Sequence, residues 1–202
     1  MLMLGHAGIT LGAAAALDAA LCKKHLFVTS RAPSSAGSDC GPRTAWFASL
    51  AGHIDIRILL LGSLLPDIVD KPLGHLLFRE TFSSGRIFCH TLLFLLVVSV
   101  VGIWVYRKER RSWPLVLSFG TFTHLVFDRM WLSPGTLLWP LFGWEFEKVV
   151  LDHWLQSTLL ALPTEPGVYV PEIIGAIVLG IFCLSLLRQG RLRSFARTGR
   201  VE

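Results

Sequence analysis

The sequence predicts an all-α protein, a single bundle of about five helices embedded in a membrane. Of its 202 residues, 52% are hydrophobic and only 16% are charged, whereas soluble domains typically contain about 25% charged residues. The segment Ile87–Tyr106 contains no Asp, Glu, Lys or Arg, and it has about the 20 residues that a helix needs to cross the hydrocarbon core. At this length, one membrane-embedded domain over residues 1–202 is the natural expectation.

Five apolar segments define the predicted helices. In chain order they are Leu4–Leu21, Trp46–Leu65, Ile87–Tyr106, Trp113–Leu132 and Val168–Leu187. The first is rich in Ala and Gly, and it lacks the basic start and small-residue cleavage site of a signal peptide, so we expect it to be retained. His53, Asp55 and Arg57 make the start of the second segment polar. Two alternatives therefore stay open for residues 46–57, which either cross the bilayer or lie along it.

The basic residues predict the orientation of the bundle. They cluster in the hairpin Arg107–Arg111 and in the tail 188–202, and basic residues beside membrane helices favour the cytoplasmic side. We therefore place the tail and the loop of about 23–43 in the cytoplasm, and the N-terminus and the aromatic, proline-rich segment 133–167 outside. The net charge of +5 then reflects topology and contact with membrane lipid, and we expect no nucleic-acid partner.

A histidine and an aspartate four residues apart are the most specific feature of the chain. His124 and Asp128 lie in the fourth apolar segment, and residues at i and i+4 share one face of a helix. Ionisable groups at membrane depth are costly and usually mark a functional site. Imidazole with carboxylate suits Zn²⁺ and similar ions. The alternative is structural, with His124 hydrogen-bonded across helices and Asp128 paired with Arg129 or Arg86.

Other acids and imidazoles are expected at the same level of the membrane. The topology derived from Lys and Arg puts six groups near the outer end of the bundle: His6, Asp67, Asp70, His90, His124 and Asp128. Each of the additional groups has a plain alternative. Asp67 and Asp70 could form a solvated acidic turn, with Asp67 capping a new helical turn, and His6 and His90 could be hydrogen-bonded core histidines. Arg86, near His90, could either bind an anion or anchor the interface.

Four short motifs in consistent order resemble one known family. They are Gly5-His6-Ala7-Gly8, Leu64-Leu65-Pro66-Asp67, Arg86 with His90-Thr91, and Gly120 with His124, Asp128 and Leu138-Trp139-Pro140. Over about residues 1–145 the chain resembles the LexA-regulated, inner-membrane-associated metal-dependent hydrolase family (YdjM-like). Family members often have Asp-x-Asp-His where this chain has Asp67-Ile-Val-Asp70-Lys71, and a histidine where it has Gly85, which leaves the number of metal ions open. The order of ligands is also similar to that of the zinc-dependent phospholipase C and P1 nuclease group.

These observations together predict a membrane-bound, metal-dependent hydrolase that acts on a phosphoester or lipid-like substrate at the interface. The resemblance implies that the membrane is the inner (plasma) membrane. The expected cofactor is a divalent metal, Zn²⁺, held by the six acids and imidazoles. We expect Asp67 or Asp70 to act as general base and Arg86 to hold a phosphate. The alternatives are an ion or metal transporter and a non-catalytic protein with a structural metal.

Overall fold

The described part of the chain is helical. The computed structural model describes residues 2–29 (with side chains for 2–20), 54–78, 80–148, 160–161 and 163–200, and this part contains no strand. Its helices are α1 (Met3–Thr29), α2 (Ile56–Pro72), α3 (Leu92–Glu109), α4 (Trp113–Phe127), α5 (Pro134–Leu137), α6 (Pro166–Arg188) and α7 (Leu192–Thr198). A π-helical turn, Leu73–Leu77, follows α2, and 3-10 turns lie at Phe88–His90 and Met130–Leu132. The predicted all-α fold class is confirmed.

Two helices are long and apolar enough to cross a membrane. By length and composition these are α1, over Met3–Ala20, and α6, over its whole range. α4 is apolar but shorter. Large apolar side chains on α3 and α6, such as Val100, Trp104 and Ile177, are exposed on the surface of the bundle, where acyl chains can replace water as their surroundings. The length, composition and surface of these helices agree with the predicted membrane bundle.

The second predicted helix extends further than the sequence pattern indicated. We expected it to end at Leu65, but α2 continues through Pro66 to Pro72. A proline inside a helix leaves one carbonyl without its usual donor, here that of Gly62. The Thr121 hydroxyl lies 3.3 Å from this oxygen and 3.1 Å from the Leu117 oxygen of its own helix, so its proton is shared between the two acceptors. Asp67 is therefore a helical residue and not the cap of a new turn. The predicted start at Trp46 lies outside the described residues, and α2 begins after Asp55, whose carboxylate accepts from the Arg57 N–H at 2.9 Å.

The third predicted helix begins five residues later than expected. α3 starts at Leu92, with the Thr91 hydroxyl accepting from the Phe94 N–H at 3.1 Å as its N-cap. His90 consequently lies in the preceding 3-10 turn and not in the helix. The predicted fourth helix is shorter than expected, because α4 ends at Phe127 and Asp128 is its C-cap. α1 extends to Thr29 rather than to Leu21.

Glycines allow two helix pairs to approach closely. A Cβ on Gly8 of α1 would overlap the Gly175 oxygen of α6, and one on Gly120 of α4 would lie 2.6 Å from the Leu59 oxygen of α2. Membrane helices commonly pack through small residues, because apolar side chains gain little by leaving lipid. The two contacts fix α1 against α6 and α2 against α4.

We expect Gly175→Ala to disrupt the packing of α1 on α6 and to lower the thermal stability of the detergent-purified protein. The added methyl group would meet the backbone of Leu4 and Gly5 at under 3 Å, and backbone cannot move aside as a flexible side chain can. Gly180→Ala is the matched control, because Gly180 lies in the same helix and a methyl group added there would meet nothing within 4 Å. Equal melting temperatures for the two variants would contradict this account of the packing.

The two ends of the bundle carry different chemistry. The start of α2 lies beside the tail, because the Ile56 N–H donates to the Gly199 oxygen at 2.9 Å and Arg57 donates to the Ala196 oxygen at 2.8 Å. The hairpin between α3 and α4 meets both segments at this end of the bundle. The predicted acids and imidazoles lie at the other ends of these helices. This relative placement agrees with the topology drawn from Lys and Arg, while the cytoplasmic assignment of the basic end stays a prediction.

Candidate metal centre

His124 of α4 is held by a backbone carbonyl of α2. Its Nδ1 lies 2.6 Å from the Ser63 oxygen, and since a carbonyl only accepts, Nδ1 carries the proton. The side chain is fully buried. With Nδ1 as donor, the lone pair of a neutral ring is on Nε2, which faces the interior of the bundle. Metal-binding histidines typically have this arrangement.

Asp70 of α2 orients His90 in the same way. One carboxylate oxygen of Asp70 lies 2.7 Å from His90 Nδ1. The same carboxylate accepts from the backbone N–H groups of Ile87, Cys89 and His90 at about 3 Å, so it also holds the 3-10 turn in place. These contacts turn His90 Nε2 toward His124 Nε2, 3.2 Å away.

Asp67, one turn before Asp70, completes a first group of ligands. Its Oδ1 lies 3.6 Å from His90 Nε2 and 3.8 Å from His124 Nε2. Its other oxygen accepts from Lys71 Nζ at 2.6 Å, one helical turn further along α2. Lys71 thus balances the charge of a carboxylate that is almost fully buried.

His6 and Asp128 form a second group around the same His124. The His6 ring stacks on the His124 ring with centroids 4.0 Å apart, and His6 Nε2 lies 3.2 Å from Asp128 Oδ1. Within the described part of the chain, neither ring nitrogen of His6 has a hydrogen bond of acceptable geometry, although the side chain is fully buried. Leaving such atoms unsatisfied is costly, and this cost indicates a missing partner.

Arg86 lies at the edge of the cluster. Its Nε and terminal nitrogen donate to Asp128 Oδ2 at 2.9 and 2.8 Å, while 45% of its side chain is exposed. Lys71 is the other partly exposed cation. The side of the cluster that faces solvent is therefore positively charged.

The structure brings all six predicted residues together, but five of them face a common centre and Asp70 does not. The ligand atoms of His6, Asp67, His90, His124 and Asp128 face one another, in two groups that share His124. Asp70 lies behind His90, with its oxygens turned to the ring and the backbone. Of the remaining four histidines, His75 lies beside Gly85, whereas His53, His153 and the side chain of His25 lie outside the described residues.

Several groups that position the site were not singled out from the sequence. Lys71 neutralises Asp67, and an i, i+4 spacing could have indicated this pair. Glu172 of α6 accepts from the N–H groups of Leu2 and Gly5 at 2.7 and 3.1 Å, which fixes the start of α1 and hence His6. Asp18 is a buried acid further along α1, and its place within an apolar segment was a signal that we overlooked.

The arrangement fits a divalent metal such as Zn²⁺. Tetrahedral coordination with zinc–nitrogen bonds of the usual length separates the ligand atoms by about 3.3 Å, and the separations here among Asp67, His90 and His124 run from 3.2 to 3.8 Å. If both rings are neutral, two nitrogen lone pairs face each other between His90 and His124, and a cation would remove their repulsion. His124 has a single available nitrogen, so one imidazole lone pair is common to the two groups.

A buried cluster of imidazoles and carboxylates at one end of an apolar helical bundle defines a membrane protein with a candidate metal centre. The chain matches the family described as "YdjM inner membrane protein" over residues 1–195. It therefore belongs to the YdjM inner membrane protein family, as its motifs suggested. No curated protein and no solved structure matches the chain.

Proposed function

We propose that this chain is a metal-dependent hydrolase of the inner membrane, acting on phosphoester or lipid-like substrates at the membrane interface. The observation that carries the proposal is the pair of Nε2 atoms of His90 and His124, 3.2 Å apart, each turned inward by an acceptor on its Nδ1. Such prior orientation is typical of metal ligands and unusual for histidines that merely fill a core.

Four of the five converging residues would hold the ion, namely His6, His90, His124 and Asp128, which leaves Asp67 outside the ligand set. A divalent ion at this position supplies a Lewis acid that activates water and polarises a substrate oxygen. Asp70 is the positioning residue for His90. Because its oxygens already accept from three backbone N–H groups and the ring, we assign the proton-accepting role to Asp67 alone, through the Oδ1 atom that faces the imidazoles.

Arg86 is suited to hold the anionic part of the substrate. Its guanidinium group contacts Asp128 and is also exposed, so it can touch both the centre and a molecule arriving from outside. Arginine binds phosphate oxygens with planar, directional hydrogen bonds. Together with Lys71, it would attract a phosphate to the buried cluster.

Apolar surface near the centre favours a substrate with a hydrocarbon part. Phe88, two residues before His90, packs edge-to-face against Trp139 and Phe146, with centroids 5.5 and 5.1 Å apart. Leu141 and Trp144 are exposed on the same segment. A phosphate group at Arg86 would therefore have aromatic and aliphatic side chains beside it.

The proposal is tested by assaying the detergent-purified full chain on chromogenic phosphomonoesters and phosphodiesters. We expect hydrolysis that a chelator abolishes and that Zn²⁺ restores. We further expect Asp67→Asn to lower kcat by about 100-fold or more, since general-base contributions are typically of this size. Glu165→Gln, which removes an exposed carboxylate at the start of α6, is the matched control and should retain activity.

The burial of the imidazoles supports a second candidate, a structural metal. His6, His90 and His124 are each fully buried, and a structural zinc site is closed by four protein ligands, whereas a catalytic one keeps an open position. A protein that binds zinc stoichiometrically but hydrolyses neither ester would favour this candidate over the enzyme.

Buried polar groups along α1 are the observation that favours transport. The Thr10 and Thr123 hydroxyls lie 3.1 Å apart, and Asp18 is buried nearer the opposite end of the bundle. Zinc uptake by vesicles containing the protein, abolished by Asp18→Asn, would favour transport. Transport is the third candidate, because an ion path needs polar groups along its length and an apolar stretch of α1 separates Thr10 from Asp18.

A further inference from the structure

A second candidate site lies at the opposite end of the bundle from the metal centre. It is a cavity of about 580 Å³, lined by Asp55, Arg110, Arg111, Ser112, Trp113, Thr198 and Arg200. Three separate parts of the chain meet there: the start of α2, the hairpin between α3 and α4, and the C-terminal end of α7 with the residues that follow it. The size is within the range of small-ligand sites.

The cavity is positively charged. Three arginines line it against one carboxylate, that of Asp55. Arg57, outside the lining, donates to both oxygens of Asp55 at 3.1 and 2.7 Å, and these hydrogen bonds hold the pKa of Asp55 below its usual value. The acid thus stays ionised but is already neutralised by its neighbour. Arg111 approaches Glu109 at 3.4 Å, and both side chains are exposed, a geometry in which an ion pair contributes little.

The cavity also adjoins the apolar part of the bundle. Trp113 lines it, is half-exposed and begins the apolar helix α4. Tryptophan is enriched where membrane meets water. Basic pockets between membrane helices are typical binding places for anionic lipid headgroups.

We propose that this cavity binds a phosphate group, with Arg110, Arg111 and Arg200 as the contacting cations. Arginine side chains from two chain segments can surround the phosphate oxygens, and Trp113 can contact the part of the ligand that lies nearest the bilayer. The source of the phosphate is either an anionic lipid headgroup or a soluble phosphate compound. This site is separate from the metal centre and does not depend on the proposed hydrolase.

The test uses the full chain in a non-ionic detergent and native mass spectrometry with dioctanoyl phosphatidylglycerol. Dioctanoylglycerol, which has the same chains without phosphate, is the matched ligand. We expect the wild-type protein to bind the phosphatidylglycerol more tightly than it binds dioctanoylglycerol. Arg111→Gln with Arg200→Gln should weaken its binding by about tenfold or more, since charge-assisted hydrogen bonds to phosphate are lost. Arg110→Gln alone provides a second, milder variant.

A charge-matched control separates the cavity from the general basicity of this end. Arg107→Gln with Arg188→Gln removes two exposed arginines outside the lining, and we expect binding to change by less than about twofold, an effect too small for a lost direct contact. Displacement of the lipid by inorganic phosphate would support a soluble phosphate compound as the source, and absence of displacement would support the headgroup. Three results would each overturn the proposal: the two double variants lose lipid binding equally, Arg110→Gln leaves lipid binding unchanged, or dioctanoylglycerol binds as well as the phosphatidylglycerol.

Discussion

Replacing His124 by alanine is expected to abolish high-affinity zinc binding by the purified full chain. His124 is the residue common to both groups of ligands, and its Nε2 faces those of its partners while Nδ1 is engaged by Ser63. Loss of a partner that merely orients a ligand already costs about 10–100-fold in metal affinity, so loss of this ligand should cost more than about 100-fold. Titration with a zinc-selective competitor dye, together with elemental analysis, measures the affinity and the number of ions per chain.

His75→Ala is the matched control for this experiment. It removes an imidazole from the turn after α2, beside Gly85 and outside both ligand groups. We expect His75→Ala to contain as much zinc as the wild type, namely one ion per chain. This ion should be lost in His124→Ala. Equal zinc content in the His124→Ala and wild-type proteins would remove the basis of the metal centre and of the proposed activity.

Asp70→Ala is expected to destabilise the fold more than any other single change in the cluster. The carboxylate accepts from the backbone N–H groups of Ile87, Cys89 and His90, and all of these lie in the interior. Burying a donor without a partner costs about 1–3 kcal/mol, so the free energy of unfolding should fall by at least about 3 kcal/mol. Denaturation followed by circular dichroism in detergent measures the change.

The same experiment distinguishes a fold effect from a metal effect. Measured with a chelator present, the loss in Asp70→Ala should persist, because the backbone contacts do not involve the ion. Asp70→Asn keeps one carbonyl oxygen and should lie between the alanine variant and the wild type. If the stability of Asp70→Ala in chelator equals that of the wild type, Asp70 does not hold the turn as we infer.

The level of the candidate site in the bundle was predictable from charge alone. Lys and Arg beside the apolar segments indicated which helix ends lie together, and from that placement His6 and Asp67 were expected near His124. The structure brings these residues together, because α2 and α4 run parallel and their C-terminal ends lie at the same level. Helix spacing also put His124 and Asp128 one turn apart, although the helix ends just before Asp128.

The roles of individual groups were not predictable, because they depend on contacts distant in sequence. Pro66 indicated a helix end. In the structure α2 continues past this proline, and the Thr121 hydroxyl of α4 contacts the carbonyl oxygen that the proline leaves without its usual donor. His90 was expected within α3, yet the carboxylate of Asp70 holds this segment in a separate turn. Neither hydrophobic periodicity nor hydropathy predicts these hydrogen-bonding partners, because they are brought together by the packing of helices that are distant in sequence.

The tight contact of α1 with α6 has a consequence for biosynthesis. Gly8 meets Gly175, and Glu172 binds the backbone of Leu2 and Gly5, so the first helix docks on a segment that leaves the ribosome 170 residues after Leu2. The position of His6 is therefore fixed by α6 only after Gly175 has been translated. The proposed ion would then meet the complete ligand set only at a late step, after insertion of α6.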